Sequence, residues 1–422
     1  MSLLETMIDD LKCKLNVDFS SYTHTFHDRA REEKRFELEM GLQDKINIAE
    51  SSFLVLNLRK QPRLKRYNTE LGTILLKRTA FYEDNKWSTP ADKILNLPSS
   101  GFSLKAEELA CVLGITTEFS HARDLFKNWT GIEISDHGLS NHIEDIGDNL
   151  YNDELSKDIA GINLLDSVLE KDVCVKKELD RVYLGGDGVM VSIRKKGYKE
   201  AKVGVIFSEK EHITSKSKKN YVKKKDYVAT MNSREDFFKL LNRKYESVHG
   251  TGKKEIIFLG DGAKWLWDNV DEHYPNCVKI LDFFHVSEYV WEVAREGFLD
   301  DIDKQNLWVS QQIILLKESK HEQLDLLNFD NKNDKLKEKI HNLKRYLNNH
   351  KDMIDYKKYL SKGYMIGSGV VESSNKKVVT QRLKQSGMFW SNKGANAIMF
   401  IRAMYLSSSG SWDKLWAVDK VA

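Results

Sequence analysis

The stretch Arg181–Arg194, RVYLGGDGVMVSIR, decides how the rest of the chain reads. One acid, Asp187, stands inside an otherwise apolar, β-prone run. Burying an unpaired charge is costly, so an acid in a strand core is protonated, paired or holding a metal. Asp-Gly is also the commonest hairpin-turn dipeptide, and taken alone Asp187-Gly188 reads first as a turn. Two later runs change the balance. Glu255–Gly262, EIIFLGDG, again drives an apolar strand into Asp-Gly, and Val278–His285, VKILDFFH, is a third apolar strand ending in polar residues. Strands that deliver acids to one edge are how an α/β sheet assembles a metal site.

Outward from these runs, strands are expected around Asp187, at Ala201–Ser208, at Tyr227–Met231, at Glu255–Leu259 and at Val278–Phe283. Ser233–Tyr245, SREDFFKLLNRKY, reads as a capped amphipathic helix between the third and fourth. Three strands, then helix, strand, helix and strand match the order of a ribonuclease H-like sheet. The expected fold class is therefore α/β, with a ribonuclease H-like mixed sheet. A proline-free tract follows His285 up to Ser361, with Tyr289, Val290, Val293, Ala294, Ile340, Leu343 and Leu347 at helical spacing. This predicts an all-helical insertion. The last motif is Gly363–Ser391, GYMIGSGVVESSNKKVVTQRLKQSGMFWS, in which Gly367 and Gly369 make a tight turn opening a helix with Glu372 near its start. Alone, Glu372 is an ordinary acid complementing the helix dipole. Beside Asp187 and Asp261 it becomes a third candidate ligand.

Towards the N-terminus, residues up to about 50 read as two helices. Phe53–Tyr82 turns β-like, with FLVLNLRK and ELGTILLKRTAFY alternating apolar and basic residues around turns at Pro62 and Gly72, which gives a small sheet with one basic face. His121–Gly131 reads as a helix closed by its glycine, and Ser135 as the N-cap of the next. Helix, short turn, helix is the helix-turn-helix arrangement, whose second helix presents His137, Ser140, Asn141 and Glu144; a plain packing hairpin has the same pattern. The expected organisation is N-terminal helices with a possible oligomerisation role over 1–52, a small β region over 53–100, and a helical region over 101–178 with a possible helix-turn-helix for DNA binding. The ribonuclease H-like core follows over 179–286, then the helical insertion over 287–361 and the final core helix and tail over 362–422.

A length of 422 residues suits two or three domains, and a net charge of +3 is nearly neutral. The positive charge is nevertheless clustered. Arg194–Lys225 carries twelve Lys or Arg, Lys195 and Lys196 among them, against Glu200, Glu209 and Glu211. Such a stripe points to a polyanion or, equally, to a solvated loop. Cys13, Cys111, Cys174 and Cys277 form no CxxC pair, which predicts free thiols in a reducing compartment and no zinc ribbon. Acids in the first ten residues argue against a signal peptide, and no run of about 18 apolar residues exists to span a membrane. The expected location is cytoplasmic.

Two or three carboxylates from separate elements, without a histidine or cysteine cluster, suit hard cations such as Mg2+ or Mn2+. Two such ions activate a water or a 3′-hydroxyl for in-line attack on a phosphodiester. The Asp187-Gly188 strand, LGDGAKWLW with Asp261, DFFH with Asp282 and His285, and above all IGSGVVESSNKKVVTQRLKQSGMFWS resemble DDE transposases of bacterial insertion sequences, in the group related to Mutator-type elements. The resemblance covers about Asp180 to Trp412. It implies that Asp187, Asp261 and Glu372 are catalytic ligands of two Mg2+ or Mn2+ ions. Asp282 and His285 match the C/D-x-x-H signature of the group, with His285 near the scissile phosphate or orienting a ligand and Asp282 supporting it. AFYEDNKW lacks the cysteines that some relatives carry, so no zinc is implied.

Lys376, Lys377, Arg382 and Lys384 follow Glu372, where phosphate contacts would position DNA. Lys376 stands four residues after Glu372, so a helical ion pair explains it equally. Trp265, Trp291, Trp308 and Trp390 are candidates for stacking an unpaired base, with core packing the alternative for each. The implied partners are double-stranded DNA, as terminal inverted repeats and as target, and a second copy of the chain in a homodimer or larger synaptic complex on the nucleoid. The alternatives are a metal-dependent nuclease of the same fold that cuts without joining, and a domesticated DNA-binding protein that no longer transposes.

Overall fold

The computed structural model describes residues 19–157, 180–214, 220–250, 254–326 and 334–417. Expectations placed on residues 1–18, on Cys174, and on Lys216, Lys218 and Lys219 lie outside the described residues. The chain folds as two units that divide between Ile143 and Glu144.

In the first unit a helix runs over Phe19–Leu54 and Gly41 does not interrupt it, while the rest of the two-helix expectation falls on residues outside those described. An interior glycine costs only about 1 kcal/mol relative to alanine, which a helix packed along a sheet absorbs. Strands β1 (Arg59–Thr69), β2 (Gly72–Glu83) and β3 (Lys86–Ser88) form an antiparallel sheet in that order. The expected FLVLNLRK strand is corrected: Phe53 and Leu54 finish the helix, and Pro62 lies within β1, not at a turn. Proline is tolerated there because β1 is an edge strand. Tyr67, Ile74 and Leu76 from one sheet face close over Ile46 and Ala91 to make the core. Both helices of the expected hairpin are present. Phe119–Thr130 ends at Gly131, whose φ of 73° is the left-handed conformation a glycine cap supplies, and Ser135 Oγ accepts from the Gly138 N–H at 3.0 Å to start Asp136–Ser156.

The second unit is built on a five-stranded mixed sheet, ordered β10-β9-β4-β5-β8. Its strands are β4 (Arg181–Ile193), β5 (Gly197–Ser208), β8 (Asp226–Thr230), β9 (Glu255–Gly260) and β10 (Val278–Leu281), and a separate hairpin pairs β6 (His212–Thr214) with β7 (Asn220–Val222). β4 pairs in parallel with β9 and antiparallel with β5, so it is central, and Val182, Tyr183 and Leu184 are fully buried. Asp187-Gly188 is not a turn: it lies mid-strand, opposite Val203 and Lys202. Ser233 caps Arg234–His249 as expected, accepting from Asp236 N–H at 3.0 Å, and that helix buries Phe237, Phe238 and Leu241 against the sheet. Each such side chain contributes about 1.5–3 kcal/mol of burial.

β10 ends at Leu281, two residues before its expected end, because Asp282 caps the helix Phe283–Phe298. The helices Ile302–Lys317, Asp334–Asn349 and Tyr356–Ser361 follow before the sequence returns to the sheet. The closing segment runs as Gly369–Asn375, a π-helical turn Lys376–Thr380, and Gln381–Leu383, followed by Asn392–Leu406 against β8. Among the described residues, no helix is long and apolar enough to cross a membrane.

Candidate active site

β4 and β9 run in the same direction with Gly186 opposite Gly260. The next residue in each strand is an aspartate, so register alone sets Asp187 and Asp261 side by side where β9 stops. β4 continues past this point because its other neighbour, β5, still pairs with it through Ile193. The helix bearing Glu372 packs across the same place. At Gly185 an added Cβ would come within 2.5 Å of Val371 Cγ2, so the glycine lets the residue before Glu372 rest directly on β4.

The two sheet carboxylates are held differently. Asp187 Oδ1 accepts from its neighbouring Gly188 N–H at 2.6 Å, and Oδ2 accepts from the side-chain amide of Asn375. Asp261 Oδ1 accepts from Ala263 N–H at 3.0 Å, while its carbonyl accepts from Trp267 Nε1 at 2.5 Å, fixing the start of Lys264–His273. Burial pushes the Asp187 carboxyl up to about 6, and the nearby charge of Asp261 adds to that; the Gly188 hydrogen bond and His285 oppose it, and Glu372 raises it further. Glu372 is also raised, first by desolvation against the protein, then by Asp282 and Glu288, with His285 again opposing. Four of the predicted residues thus act on one another electrostatically: Asp187, Asp261, Glu372 and His285.

His285 is half-buried, with Nδ1 3.5 Å from Glu288 Oε2 and its ring edge-on to Tyr289 and Tyr346. Asp282 is 2% exposed and wholly engaged. Its carboxylate accepts from Phe284 N–H at 3.0 Å, Ser368 N–H at 2.9 Å and Ser368 Oγ–H at 2.5 Å. One acid therefore caps the His285 helix and clamps the turn that launches the Glu372 helix. The helix opens at Gly369 as expected, but neither Gly367 nor Gly369 has a positive φ, so the turn does not draw on glycine's left-handed freedom. At Gly367 the exposed Phe284 ring stands where a Cβ would, so a larger residue there would have to displace that ring.

The predicted nucleic-acid contacts divide. Lys376, Lys377 and Lys384 are exposed. No ion pair links Lys376 to Glu372 among the described residues, and Lys377 lies beside Lys225, whose ammonium is lowered by burial and then by Lys377. Lys195 and Lys196 are exposed in the β4–β5 turn, on the order of 20 Å or more along the strand from Asp187. Arg382 and Trp390 are corrected. Arg382 is fully buried with its guanidinium 4.9 Å from the Trp390 ring centre, and Trp390 is 6% exposed with its indole N–H donating to Leu383 O at 3.1 Å. Neither presents a surface to a phosphate or a base. They tie the Lys384–Phe389 loop to the end of β4, where Trp390 N–H donates to Ser192 O and Arg194 N–H to Trp390 O.

Two features escaped the sequence reading. Asn375 stands three residues after Glu372 on the same helix face, a spacing that was available as a signal. The second is a cleft of ≈ 540 Å³ beside Asp261, walled by His285 and Tyr289 on one side and by Asn342, Arg345 and Tyr346 of the helical insertion on the other. Nothing in the periodicity of that insertion told which face would meet the acids.

The donor chemistry fits a hard divalent cation. The oxygens are carboxylate, the like charges of Asp187 and Asp261 meet at a partly desolvated edge, and the neutral amide of Asn375 relieves that repulsion only in part. Among the described residues no three His, Cys, Asp or Glu side chains already converge on one point, so the fit rests on donor type and charge.

Residues 57–419 match the profile of a family described as an uncharacterised protein family, UPF0236. A curated relative from Streptococcus gallolyticus, named "UPF0236 protein in vanSb 3′region", is 26% identical over 226 residues, which cover 52% of this chain and 48% of that protein. The chain thus spans about half the length of the curated relative it matches. On a match that takes in most of its length, the chain belongs to the UPF0236 family.

Proposed function

We propose that this chain is a DNA transposase of the DDE type with a ribonuclease H-like core, cutting at element ends and joining 3′-hydroxyls to target DNA. The observation that carries the reading is the pairing of Asp187 with Asp261 by strand register, with Glu372 brought over β4 on its own helix. The sheet order, with β4 in the centre, β5 its antiparallel partner and β9 and β10 parallel on the other side, supports the ribonuclease H-like assignment.

Asp187, Asp261 and Glu372 would hold two Mg2+ or Mn2+ ions, which when bound supply charge neutralisation at the phosphate and an acidified water or 3′-hydroxyl. The chain's own groups do the rest. Asn375 donates to Asp187 and fixes its rotamer. Asp282 holds the Ser368 turn, so the Glu372 helix starts from a fixed point. His285, as the cation or as an N–H donor, offsets negative charge where a phosphate would enter. Strand transfer needs two ends held together, which implies at least a dimer on DNA.

The test is incubation of purified protein with DNA bearing the ends that flank its gene, with Mg2+, comparing wild type with Asp187→Ala. Cleavage and joining that depend on metal and vanish in the variant support the reading. Cleaved ends that accumulate without joined product favour a nuclease of the same fold. Binding without cutting favours a DNA-binding protein that has left transposition.

A further inference from the structure

The element expected to read DNA was the second helix of the hairpin, Asp136–Ser156. That helix carries six acids, Asp136, Glu144, Asp145, Asp148, Asp153 and Glu154, and no lysine or arginine. Glu144 itself is half-buried, its carboxylate lying where a Cβ on Gly394 would stand. A duplex repels such a charge pattern.

The opposite pattern stands on β1. Five of the eight residues Arg59–Arg66 are cations, Arg59, Lys60, Arg63, Lys65 and Arg66, and none is an acid. Among the described residues none of the five forms an ion pair. Elsewhere in the unit Arg31, Lys34, Arg35, Arg78, Lys105 and Arg123 each lie within 4.0 Å of a carboxylate. Lys60 and Lys65 donate instead to main-chain carbonyls, of Leu54 and of Pro98 and Ser99 respectively. Arg59 and Arg63 lie 5.9 and 5.3 Å from the Trp87 ring centre, which holds their planar heads in place without neutralising them.

The geometry of the ribbon completes the case. Arg59, Arg63 and Lys65 share the face of β1 that at its Tyr67 end closes on the core, and Lys60, Leu64 and Arg66 project from the other, beside Lys77 and Leu75 of β2, so cations leave both faces of this edge strand. Leu64 is 65% exposed, whereas Phe81 on the same face is covered by Phe53, so among the described residues this face is open at its Leu64–Arg66 end. Edge strands carry lysine and proline to block unwanted pairing, and Lys60 and Pro62 serve that purpose. Three exposed arginines go beyond it.

We propose that the exposed edge strand β1 is a docking surface for duplex DNA, with Arg59 and Arg63 reaching backbone phosphates from one face of the strand and Arg66 from the other. Guanidinium forks match phosphate geometry, and an edge strand leaves its outer side open to a partner. The scattered apolar residues, Leu64 and Leu75, are too few to insert into a lipid surface. The inference rests on the DNA-directed reading above and assigns its docking element.

The full chain is titrated against a labelled duplex of arbitrary sequence in EDTA, between about 50 and 200 mM KCl. Three lost phosphate contacts lower the slope of log K against log[salt] by about 2.7 in Arg59→Gln/Arg63→Gln/Arg66→Gln, with the melting temperature unchanged. The single variant Arg63→Gln lowers it by about 0.9, and the triple Arg→Lys variant retains most of the slope. A triple-Gln slope equal to wild type overturns this inference alone and leaves the carboxylate site untouched. Failure of wild type to bind any duplex overturns both readings. Loss of binding to phosphatidylglycerol vesicles with unchanged duplex binding assigns the strand to a lipid surface and overturns it as well.

Discussion

Asp187 and Asp282 are the same residue type, both withdrawn from solvent at the same end of one sheet, and they are treated in opposite ways. Asp282 receives three hydrogen bonds, two from Ser368 and one from Phe284, and is closed off from solvent. Asp187 receives one from its own chain neighbour and one from an amide, then faces Asp261. A satisfied buried acid is a structural part; an under-satisfied one facing a like charge costs stability and persists where something else uses it. Substitutions that treat the two alike test whether the contrast is real.

The largest effect expected is on activity. Asp187→Asn, Asp261→Asn and Glu372→Gln each remove a charge that a metal would need, an effect of several kcal/mol, so metal-dependent strand cleavage falls about a thousandfold or more. Circular dichroism should show all three folded. Retention of cleavage within tenfold in any one removes that residue from the proposed ligand set.

Asp282→Ala should instead act on stability. It strands the Ser368 N–H and hydroxyl and the Phe284 N–H in a buried place, at a cost of about 3 kcal/mol, or roughly 8 °C in melting temperature for a unit of this size. A drop in cleavage should accompany it only as far as the Glu372 helix loses its anchor. An Asp282→Ala protein as stable as wild type would erase the contrast.

Asp187→Asn should move stability the other way in metal-free buffer. The folded carboxyl titrates near 6 against a reference of 3.8. Below about pH 4 both folded and unfolded chains hold the proton, so the residue costs nothing. Between 4 and 6 the unfolded chain releases it first, stability falls as pH rises, and above 6 the loss is complete. Wild type in EDTA should therefore gain on lowering pH from 7 to 5, while Asp187→Asn is more stable at pH 7 by at most about 3 kcal/mol and lacks that slope. Mg2+ at a hundred times its Kd returns about 2.7 kcal/mol to wild type, and the variant should forfeit most of it. Thermal melts in EDTA and in Mg2+ read both quantities.

The contrast also marks what the sequence could express. Asp187 and Asp261 were legible because an acid breaks an apolar β run, and parallel register converts that pattern directly into adjacency. Asp282 was legible only as part of a motif; its clamp on Ser368 joins residues 86 apart, which no local pattern encodes. Arg382 and Trp390 were misread for a related reason. Both sit on a basic, aromatic stretch that reads as surface, and only the return of the loop to β4 buries them against each other. In the first unit, Pro62 was read as a turn because edge position, which makes proline acceptable within a strand, is a tertiary fact.

Asn375 sharpens the comparison at a smaller scale. Among the described residues its amide is the one side-chain donor to Asp187 from another element, and Asn375→Ala leaves the carboxylate free to rotate. Second partners of this kind are worth 10–100-fold in metal affinity or activity, so about a tenfold loss in cleavage is expected with little change in melting temperature. Asn375→Asp should be worse than alanine, since it adds a charge to the crowded edge.

Lys376 provides the smallest effect and separates the two readings that its position allowed. As the i+4 partner of Glu372 it would contribute about 0.3–0.5 kcal/mol and would compete with a metal for that carboxylate. The structure has no such pair among the described residues, and the side chain is exposed on the π-helical turn that follows Glu372. Lys376 N–H still bonds to Glu372 O, so α-helical spacing holds as far as Lys376 and the π turn displaces only the residues after it. Lys376→Ala should therefore leave thermal stability within about 0.5 kcal/mol of wild type and leave Glu372 free for its role, while removing one unit of positive charge next to the site. Its readout is the salt dependence of binding to a duplex, which should fall by about 0.9 in slope if Lys376 meets a phosphate and stay fixed if it meets only water. A loss of stability larger than this, rescued by Lys376→Arg, would mean that the ion pair forms in solution and that Glu372 is held by its own helix, as Asp282 is held by Ser368.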